Sequence, residues 1–348
     1  MSPRSKPVLL ETMLLGSSLL NLDKVGSAQR EVHYYKLLDR YFDVVLFEYS
    51  QPLRAGDFRQ IPPIFENKWL NSLLAPFIGA RRFKGVGVVR AKQVWGSWSA
   101  WLLARLKGQK FILRCGYIWS RSVMHERRDL PCMVKWAIVR FERFLIQRAD
   151  ALIYASEDIA AYYGTMQQRP FVIIPNGFDI DLFKRRHEVS RDFDFVYVGR
   201  LIPLKGVEAM LALVGPDRKL LIAGGGPLAH LLQGRRNVSY LGVVPNSELP
   251  AVLSKATCFI SMSSTEGSPK CLIEAILCGL YPVVSDIPAH RLLIEELGYG
   301  LLIESSAGQI LPTVSVFVDE SKLDAFRRKY SVDAIVEREV AFCGGFVQ

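Results

Sequence analysis

The chain is poor in cysteine and histidine, with six and five in 348 residues. The cysteines stand at 115, 132, 258, 271, 278 and 343, and no pair has CxxC spacing. That argues against a zinc ribbon, a thioredoxin-type motif and a dense disulfide framework. Cys271 and Cys278, two helical turns apart, read as a helix face in a reduced compartment. No apolar run reaches 18 residues, so no segment is long enough to span a bilayer as a helix. The opening MSPRSKPVLLETMLLGSS mimics a signal peptide. Glu11 interrupts its apolar run and no clear small-x-small cleavage site follows, so it reads as a first strand. Internal repeats, low-complexity tracts and lipidation motifs are absent. Acidic residues are scarce in the first half: residues 1–190 hold 29 Lys and Arg against 17 Asp and Glu, and residues 191–348 hold 15 against 17. The net charge of +10 therefore arises in the first half, which implies an anionic partner there: a membrane surface or a phosphorylated substrate. No nucleic-acid module accompanies the charge, so nucleic acid is not an expected partner.

What is present is a globular composition, half hydrophobic and 22% charged, long enough for two domains with full cores. In the second half, short apolar runs bounded by Gly, Pro, Ser or Asp read as strands: Phe193–Arg200, Lys219–Ala223, Val238–Val244, Thr257–Ser261, Tyr281–Ser285 and Gly300–Ile303. Helical stretches fall between them at Val207–Val214, Leu228–Gln233, Ser247–Lys255 and Lys270–Cys278. Near-continuous apolar strands alternating with helices predict a doubly wound parallel sheet. The first half repeats the rhythm, with strands at Val8–Leu15, Asp43–Tyr49, Val86–Val89, Phe111–Cys115, Ala151–Ala155 and Phe171–Ile174. Helices are expected at Ser27–Tyr41 and about Met133–Arg148. The charged segment Arg185–Asp192 reads as a linker, and Asp324–Cys343 as helical. The expected organisation is a Rossmann-like domain at 1–186, a second at 187–323, and a C-terminal helix at 324–348 packing back on the first. Two open α/β domains imply a cleft, with ligands at the carboxyl ends of strands.

The residues after those strands carry the chemistry. Gly199-Arg200-Leu201 ends one strand and Lys205-Gly206 follows; a guanidinium fork and a compact ammonium both suit phosphate. Gly224-Gly225-Gly226-Pro227 ends the next, where glycines permit close backbone approach. In Thr265–Glu274 (TEGSPKCLIE), Ser268 is the expected N-cap and Pro269 the first helical position. The amino end of that helix is an anion site, with Glu266 at its mouth. Glu274, inside the helix, must find hydrogen-bond donors if buried.

VGRLIPLKG, AGGGP, the Glu266/Glu274 pair, EAILCGLYPVVSD and IPNGFD at 174–179 together resemble the retaining glycosyltransferases of family 4, over roughly 145–305. The resemblance implies the GT-B fold: two Rossmann-like doubly wound domains facing across a cleft. It assigns Arg200 and Lys205 to the donor's diphosphate, Glu274 to the ribose and Glu266 to the transferred sugar. It places Gly267 and Ser268 against the sugar, and the amides of Leu272 and Ile273 against the phosphates. Gly199, Gly225 and Gly226 complete the donor side. The family's paired-glycine loop has its counterpart in Gly26-Ser27.

The pattern departs elsewhere. A histidine common after a strand of the first domain is replaced by Leu113-Arg114-Cys115-Gly116-Tyr117, so Arg114, Cys115 and Tyr117 become candidates for the acceptor and sugar side. The acidic residue after the last donor strand is replaced around His290-Arg291-Leu292. Asp179-Ile180-Asp181 and Asp192-Phe193-Asp194 have DxD spacing but sit in a turn and before a strand, so no metal is expected. His33, His187 and His230 read as surface residues. Lys68–Ala80, apolar with a tryptophan, precedes the basic cluster Arg81, Arg82 and Lys84, as an interfacial membrane element requires. The implied activity is metal-independent, retaining transfer of a sugar from a UDP- or GDP-sugar co-substrate, without a cofactor, to a glycan or lipid-linked saccharide for cell-surface polysaccharide. The setting is the cytoplasm or the cytoplasmic face of a membrane. The rival readings are a nucleotide-sugar 2-epimerase and a non-catalytic sugar-nucleotide-binding subunit.

Overall fold

The computed structural model describes residues 6–13, 18–24, 28–49, 58–82, 85–127, 129–165, 168–304 and 318–347. Within them are two sheets, both wholly parallel. The first contains β1 (Val8–Thr12), β2 (Asp43–Phe47), β3 (Arg59–Ile61), β4 (Val86–Ala91), β5 (Lys110–Cys115), β6 (Ala151–Tyr154) and β7 (Phe171–Ile173), in the order β3-β2-β1-β4-β5-β6-β7. The second contains β8 (Phe193–Val198), β9 (Leu220–Ala223), β10 (Val238–Tyr240), β11 (Ala256–Ser261), β12 (Tyr281–Ser285) and β13 (Leu301–Ile303), in the order β10-β9-β8-β11-β12-β13. Parallel neighbours cannot be joined by hairpins, and helices supply the crossovers. Each sheet is covered on both faces. Leu9, Val44 and Val88 enter one core of the first sheet, and Leu10, Val45 and Val89 enter the other, as a side-chain period of two demands. The winding reverses beside β1 and β4 in the first sheet, and beside β8 and β11 in the second. The carboxyl ends at such a reversal diverge into a ligand crevice.

The chain divides into Met1–Gly177 with Val332–Gln348, and Phe178–Ser331. This departs from the boundaries at 186 and 324. Phe178 and Phe183 are already buried in the core of the second unit. Asp179 Oδ1 accepts from the amides of Asp181 and Leu182, each at 3.0 Å, closing a local turn. Arg185–Asp192 is attached to the second unit, since Arg186 N donates to Ser254 Oγ and Arg191 to the Gly279 carbonyl. The C-terminal stretch is two helices. Glu320–Tyr330 buries Leu323, Phe326 and Tyr330 in the second unit, while Val332–Gly344 buries Ile335, Val336 and Cys343 in the first. Composition could not show this, because both helices are amphipathic and Ser331 between them is an ordinary polar residue.

The last helix is held by charge as well as by apolar contact. Glu11 of β1 and Arg90 of β4 are directly opposite each other and both buried. Arg90 Nε donates to Glu11 at 2.7 Å, and Arg90 Nη1 donates to Glu339 of the last helix at 2.7 Å. Arg114 of β5 reaches the other Glu339 oxygen at 3.1 Å, and Tyr34 donates to Glu339 as well. Burial alone would raise the Glu339 pKa, but Arg90 and Arg114 overcome it and hold the carboxyl at about 2. Its folded-state value is thus depressed. The stabilisation it confers is complete above the unfolded carboxyl value of about 4.3 and disappears as pH falls toward 2.

Glu339→Gln should therefore lower unfolding stability of the full chain at pH 7 by about 3–5 kcal/mol, because two buried guanidinium groups lose their shared counter-charge. The variant should also lose part of the wild-type decline between about pH 5 and 2. Urea unfolding across pH checks both; a midpoint at pH 7 equal to wild type would refute the assigned role.

Candidate active site

A crevice of about 260 Å³ opens in the second unit at its reversal point. It is lined by Val198, Gly199 and Arg200 at the end of β8, and by Phe259 and Ser261 of β11. Lys205, Glu266 and the segment Ser268–Leu272 complete most of the wall. Of the residues singled out in the sequence, Gly199, Arg200, Lys205, Glu266, Ser268 and Leu272 thus converge on one cavity.

Local chemistry explains the convergence. Lys205 ends a 3-10 turn, Pro203–Lys205, which stops at Gly206. Gly206 has φ +62°, and a Cβ there would lie 1.9 Å from the Met262 carbonyl oxygen, so only glycine lets this turn lie against the end of β11. Lys205 Nζ is thereby brought to Glu266 Oε1, with which it pairs. Ser263 Oγ donates to the same oxygen at 2.8 Å. Both partners are mostly shielded, with side-chain exposures of 19% and 14%. The cation expected on phosphate and the carboxylate expected on sugar are therefore one coupled unit in the ligand-free site.

The helix behind the cavity runs Lys270–Leu277, capped by Pro269 rather than by Ser268. The Ser268 carbonyl accepts from Lys270 N at 2.9 Å, and the helix starts one residue later than its sequence suggests. The amino end still faces the cavity, and the first amides of a helix have no intrahelical acceptors. Such an end attracts anions.

Other expected residues lie elsewhere. Glu274 is not itself a lining residue: it is buried one turn behind Lys270 and Cys271, which do line the cavity, and Asn246 Nδ2 donates to its Oε1 at 3.4 Å. Ile273 is buried in the core. Gly225 and Gly226 do not line the cavity. Gly226, at φ +152°, has the Leu201 carbonyl oxygen 2.4 Å from where a Cβ would be, so this glycine serves close packing of two strand ends. Gly267 is not among the lining residues either. Gly26 falls outside the described residues.

In the first unit, Cys115 is fully enclosed in the core and its thiol is pushed far up by burial, so it cannot take the place of a sugar-contacting histidine. Arg114 is committed to Glu339 and to the carbonyls of Ile174 and Pro175. Tyr117, just past the carboxyl end of β5, is half-buried and packs against the core of the first sheet. His33, His187 and His230 are exposed. Asp194 Oδ2 accepts from Lys219 N at 2.7 Å, and Asp192 Oδ1 from Ser190 Oγ at 2.6 Å, so the carboxylates of the DxD triplets serve local structure.

His290, noted in the sequence only as a departure from the family pattern, is buried and lines the crevice. Its Nδ1 lies 2.9 Å from the Ser285 carbonyl oxygen, and Ser285 Oγ donates to the Ser263 carbonyl at 2.6 Å. A carbonyl only accepts, so Nδ1 carries the proton and Nε2 of the neutral ring is an acceptor. Burial, the largest influence, pushes the imidazole below the ordinary histidine value; the bond to Ser285 and the charge of Glu266 only partly oppose it. The available signal was its place just after β12, within the first turn of the helix Pro288–Leu297.

Residues 179–327 match the family model described as glycosyl transferases group 1. The chain is 29% identical over 158 residues to GDP-mannose:cellobiosyl-diphosphopolyprenol alpha-mannosyltransferase of Xanthomonas oryzae pv. oryzae, covering 40% of this chain and 42% of the relative. It is 25% identical over 232 residues to UDP-Gal:alpha-D-GlcNAc-diphosphoundecaprenol alpha-1,3-galactosyltransferase of Escherichia coli, covering 58% of each. The match spans about half the length of these curated relatives. Among solved structures, sucrose-phosphate synthase of Thermosynechococcus elongatus superposes with a TM-score of 0.76 at 16% identity, over 98% of this chain and 99% of that one. Anabaena HepE in complex with UDP and glucose gives 0.71 at 16%, over 97% and 99%. Two parallel sheets of this order, matched over nearly the whole chain, are the GT-B fold of glycosyltransferases, and the second unit carries the group 1 segment.

Proposed function

We propose that the protein is a retaining, metal-independent glycosyltransferase of family 4. It moves a sugar from a UDP- or GDP-sugar to a glycan or lipid-linked saccharide in cell-surface polysaccharide synthesis. The observation that carries this reading is the meeting of Arg200, Lys205, Glu266 and the amino end of Lys270–Leu277 in one crevice at the reversal point of a parallel sheet. Glycosyl transfer leaves negative charge on a diphosphate, and fixed cations with helix amides stabilise that charge without reorganising. Lys205 is held by Glu266 until the diphosphate competes for it. Glu266, released, then accepts from sugar hydroxyls. The leaving phosphate takes the acceptor's proton on the same face, so no enzymic nucleophile is required. His290 offers Nε2 as a further acceptor toward the sugar. Glu274, one turn behind Lys270 and Cys271 of the crevice wall, accepts from ribose hydroxyls that reach past that wall. The relatives that act on diphosphopolyprenol-linked saccharides support a lipid-linked acceptor bound by the basic first unit, on the cytoplasmic face of a membrane.

A thermal-shift screen with UDP, GDP and their sugars identifies the donor: at 100 times its dissociation constant a ligand stabilises by about 2.7 kcal/mol. No shift with any of them would remove the reading. With the donor known, Arg200→Ala and Lys205→Ala should each lower kcat about 10²–10³-fold. Glu274→Gln should weaken donor affinity more than turnover, since uniform binding is what it loses. Glu266→Gln should lower kcat more than it raises the donor KM. Because Lys205 and Glu266 share a hydrogen bond, a double-mutant cycle on them should show about 0.5–3 kcal/mol of coupling, and strict additivity would contradict the pairing.

Excess EDTA should leave transfer unchanged, since the crevice already supplies cations and helix amides for the diphosphate. Activity abolished by EDTA and restored by Mn²⁺ would return the DxD triplets to consideration.

A further inference from the structure

The chain has six tryptophans, and all of them lie in the first unit. Five form a connected array. Trp69 meets Trp95 at 5.7 Å between ring centroids, Trp95 meets Trp98 at 5.1 Å, and Trp95 stacks on Trp119 at 4.6 Å. Trp98 continues to Phe141, and Trp101 packs on Phe144. Trp119 belongs to the core of the first sheet, and Trp95, Trp98 and Trp101 pack against it, leaving their outer side uncovered. They wall an open groove of about 570 Å³ between the helices Ser97–Lys107 and Cys132–Arg148, with Leu73 of the helix Lys68–Arg82 at its edge. That volume is within the range of small-molecule sites. The lining side chains are aromatic or aliphatic throughout.

The surroundings narrow the occupant. Leu73, Phe77, Met133 and Trp136 beside the groove are more than half exposed, an apolar surface that a protein facing only water seldom carries. In the three helices Lys and Arg outnumber acids nine to one. The one acid, Glu142, is buried and accepts from Ser120 N and Tyr163 Oη. Arg140 lies over the Trp136 ring and Arg148 over those of Trp101 and Phe144, so cations sit on the aromatic wall itself. An apolar slot bordered by helices with this excess of cations is complementary to an amphiphile with a hydrocarbon chain and an anionic head. Its position supplies the link to chemistry. Trp95 follows the carboxyl end of β4 and Trp119 that of β5, where ligands of parallel sheets bind.

We propose that this groove binds the hydrocarbon chain of a phosphate-headed lipid that carries the acceptor saccharide. The chain segment nearest the phosphate lies along Trp95, Trp98 and Trp119, and the phosphate meets the basic rim. This rests on the glycosyltransferase reading for the identity of the acceptor, but the site itself is read from the first unit alone. It differs from adhesion to a membrane surface, because a chain must enter a slot of fixed width.

The test is titration of the full-length protein with farnesyl phosphate below its micelle concentration, followed by intrinsic tryptophan emission. A saturable spectral change is expected, at least tenfold weaker with farnesol and absent with inorganic pyrophosphate. Ala137 is an exposed small residue on the groove wall, so Ala137→Phe fills the slot without disturbing the core. It should weaken farnesyl phosphate binding at least tenfold. No saturable change, or equal affinity in Ala137→Phe, overturns the proposal. So does binding only to phosphatidylglycerol vesicles that Ala137→Phe retains, which would be surface adhesion. Dimers in sedimentation that Ala137→Phe abolishes would give the groove to a second copy and equally overturn it. The readout needs no sugar donor, so its failure is separable from failure to bind UDP or GDP.

Discussion

The buried Arg90 guanidinium is the group around which the first unit is organised. A fully enclosed charge is tolerable only if its partners are close and its donors satisfied. Glu11 from the neighbouring strand and Glu339 from the last helix meet that demand, with Tyr34 completing the set. The arrangement ties residues 249 positions apart in the chain. It also explains why a chain that leaves for the second unit at Gly177 returns for a final helix at Val332. Apolar burial of Ile335 and Val336 would hold that helix against the sheet, but greasy contact specifies orientation poorly. A carboxylate that must reach two guanidinium groups specifies it well. Arg114 is the second of these, so a residue that looked available for a ligand is taken by the framework.

The two sheets share strand order yet use their reversal points differently. In the second unit the strand ends carry glycines that bring backbone segments into close approach, leaving a polar crevice between β8 and β11. In the first unit the ends of β4 and β5 lead into Trp95 and Trp119, and the open space beyond them is apolar. The same topology therefore offers one site suited to a charged, hydrogen-bonding ligand and one suited to hydrocarbon. Sequence divergence in the loops after the strands accounts for both, since the sheets themselves are built from interchangeable Val, Ile and Leu.

The second unit was largely legible in the sequence because its signals are local. Strands such as LLIA, ended by glycines, and a Pro-started helix beside two cations need no partner from far along the chain to be recognised. What could not be read depended on distant contacts. Glu11 marked the opening run as a strand rather than a signal peptide, but its buried partner Arg90, 79 residues away, could not be read from the run itself. Cys115 and Arg114 follow a strand in the right place for ligand contact, but the period of two turns Cys115 into the core, and Glu339 engages Arg114. His290 reaches the crevice because Ser285 and Ser263 align behind it, a geometry that spans 28 positions of sequence. The helix Lys68–Arg82 was recognised as amphipathic. Whether its apolar side met a core or open space depended on the helices Ser97–Lys107 and Cys132–Arg148 beside it.

Charge is distributed to match these uses. The second unit is close to neutral in sequence, and of the cations lining its crevice Lys205 is balanced by Glu266. A paired cation is kept in place without a ligand and carries little net field into solvent, which suits a site that should engage a diphosphate only at contact distance. The first half holds its positive excess on exposed helices, where few acids offset it. An excess of surface charge of one sign acts over about a Debye length, close to 8 Å at physiological salt. It therefore draws an extended anionic partner toward the unit before any specific contact forms. The donor crevice is built for discrimination at short range and the basic helices for attraction at longer range, and the apolar groove lies among the helices that do the attracting.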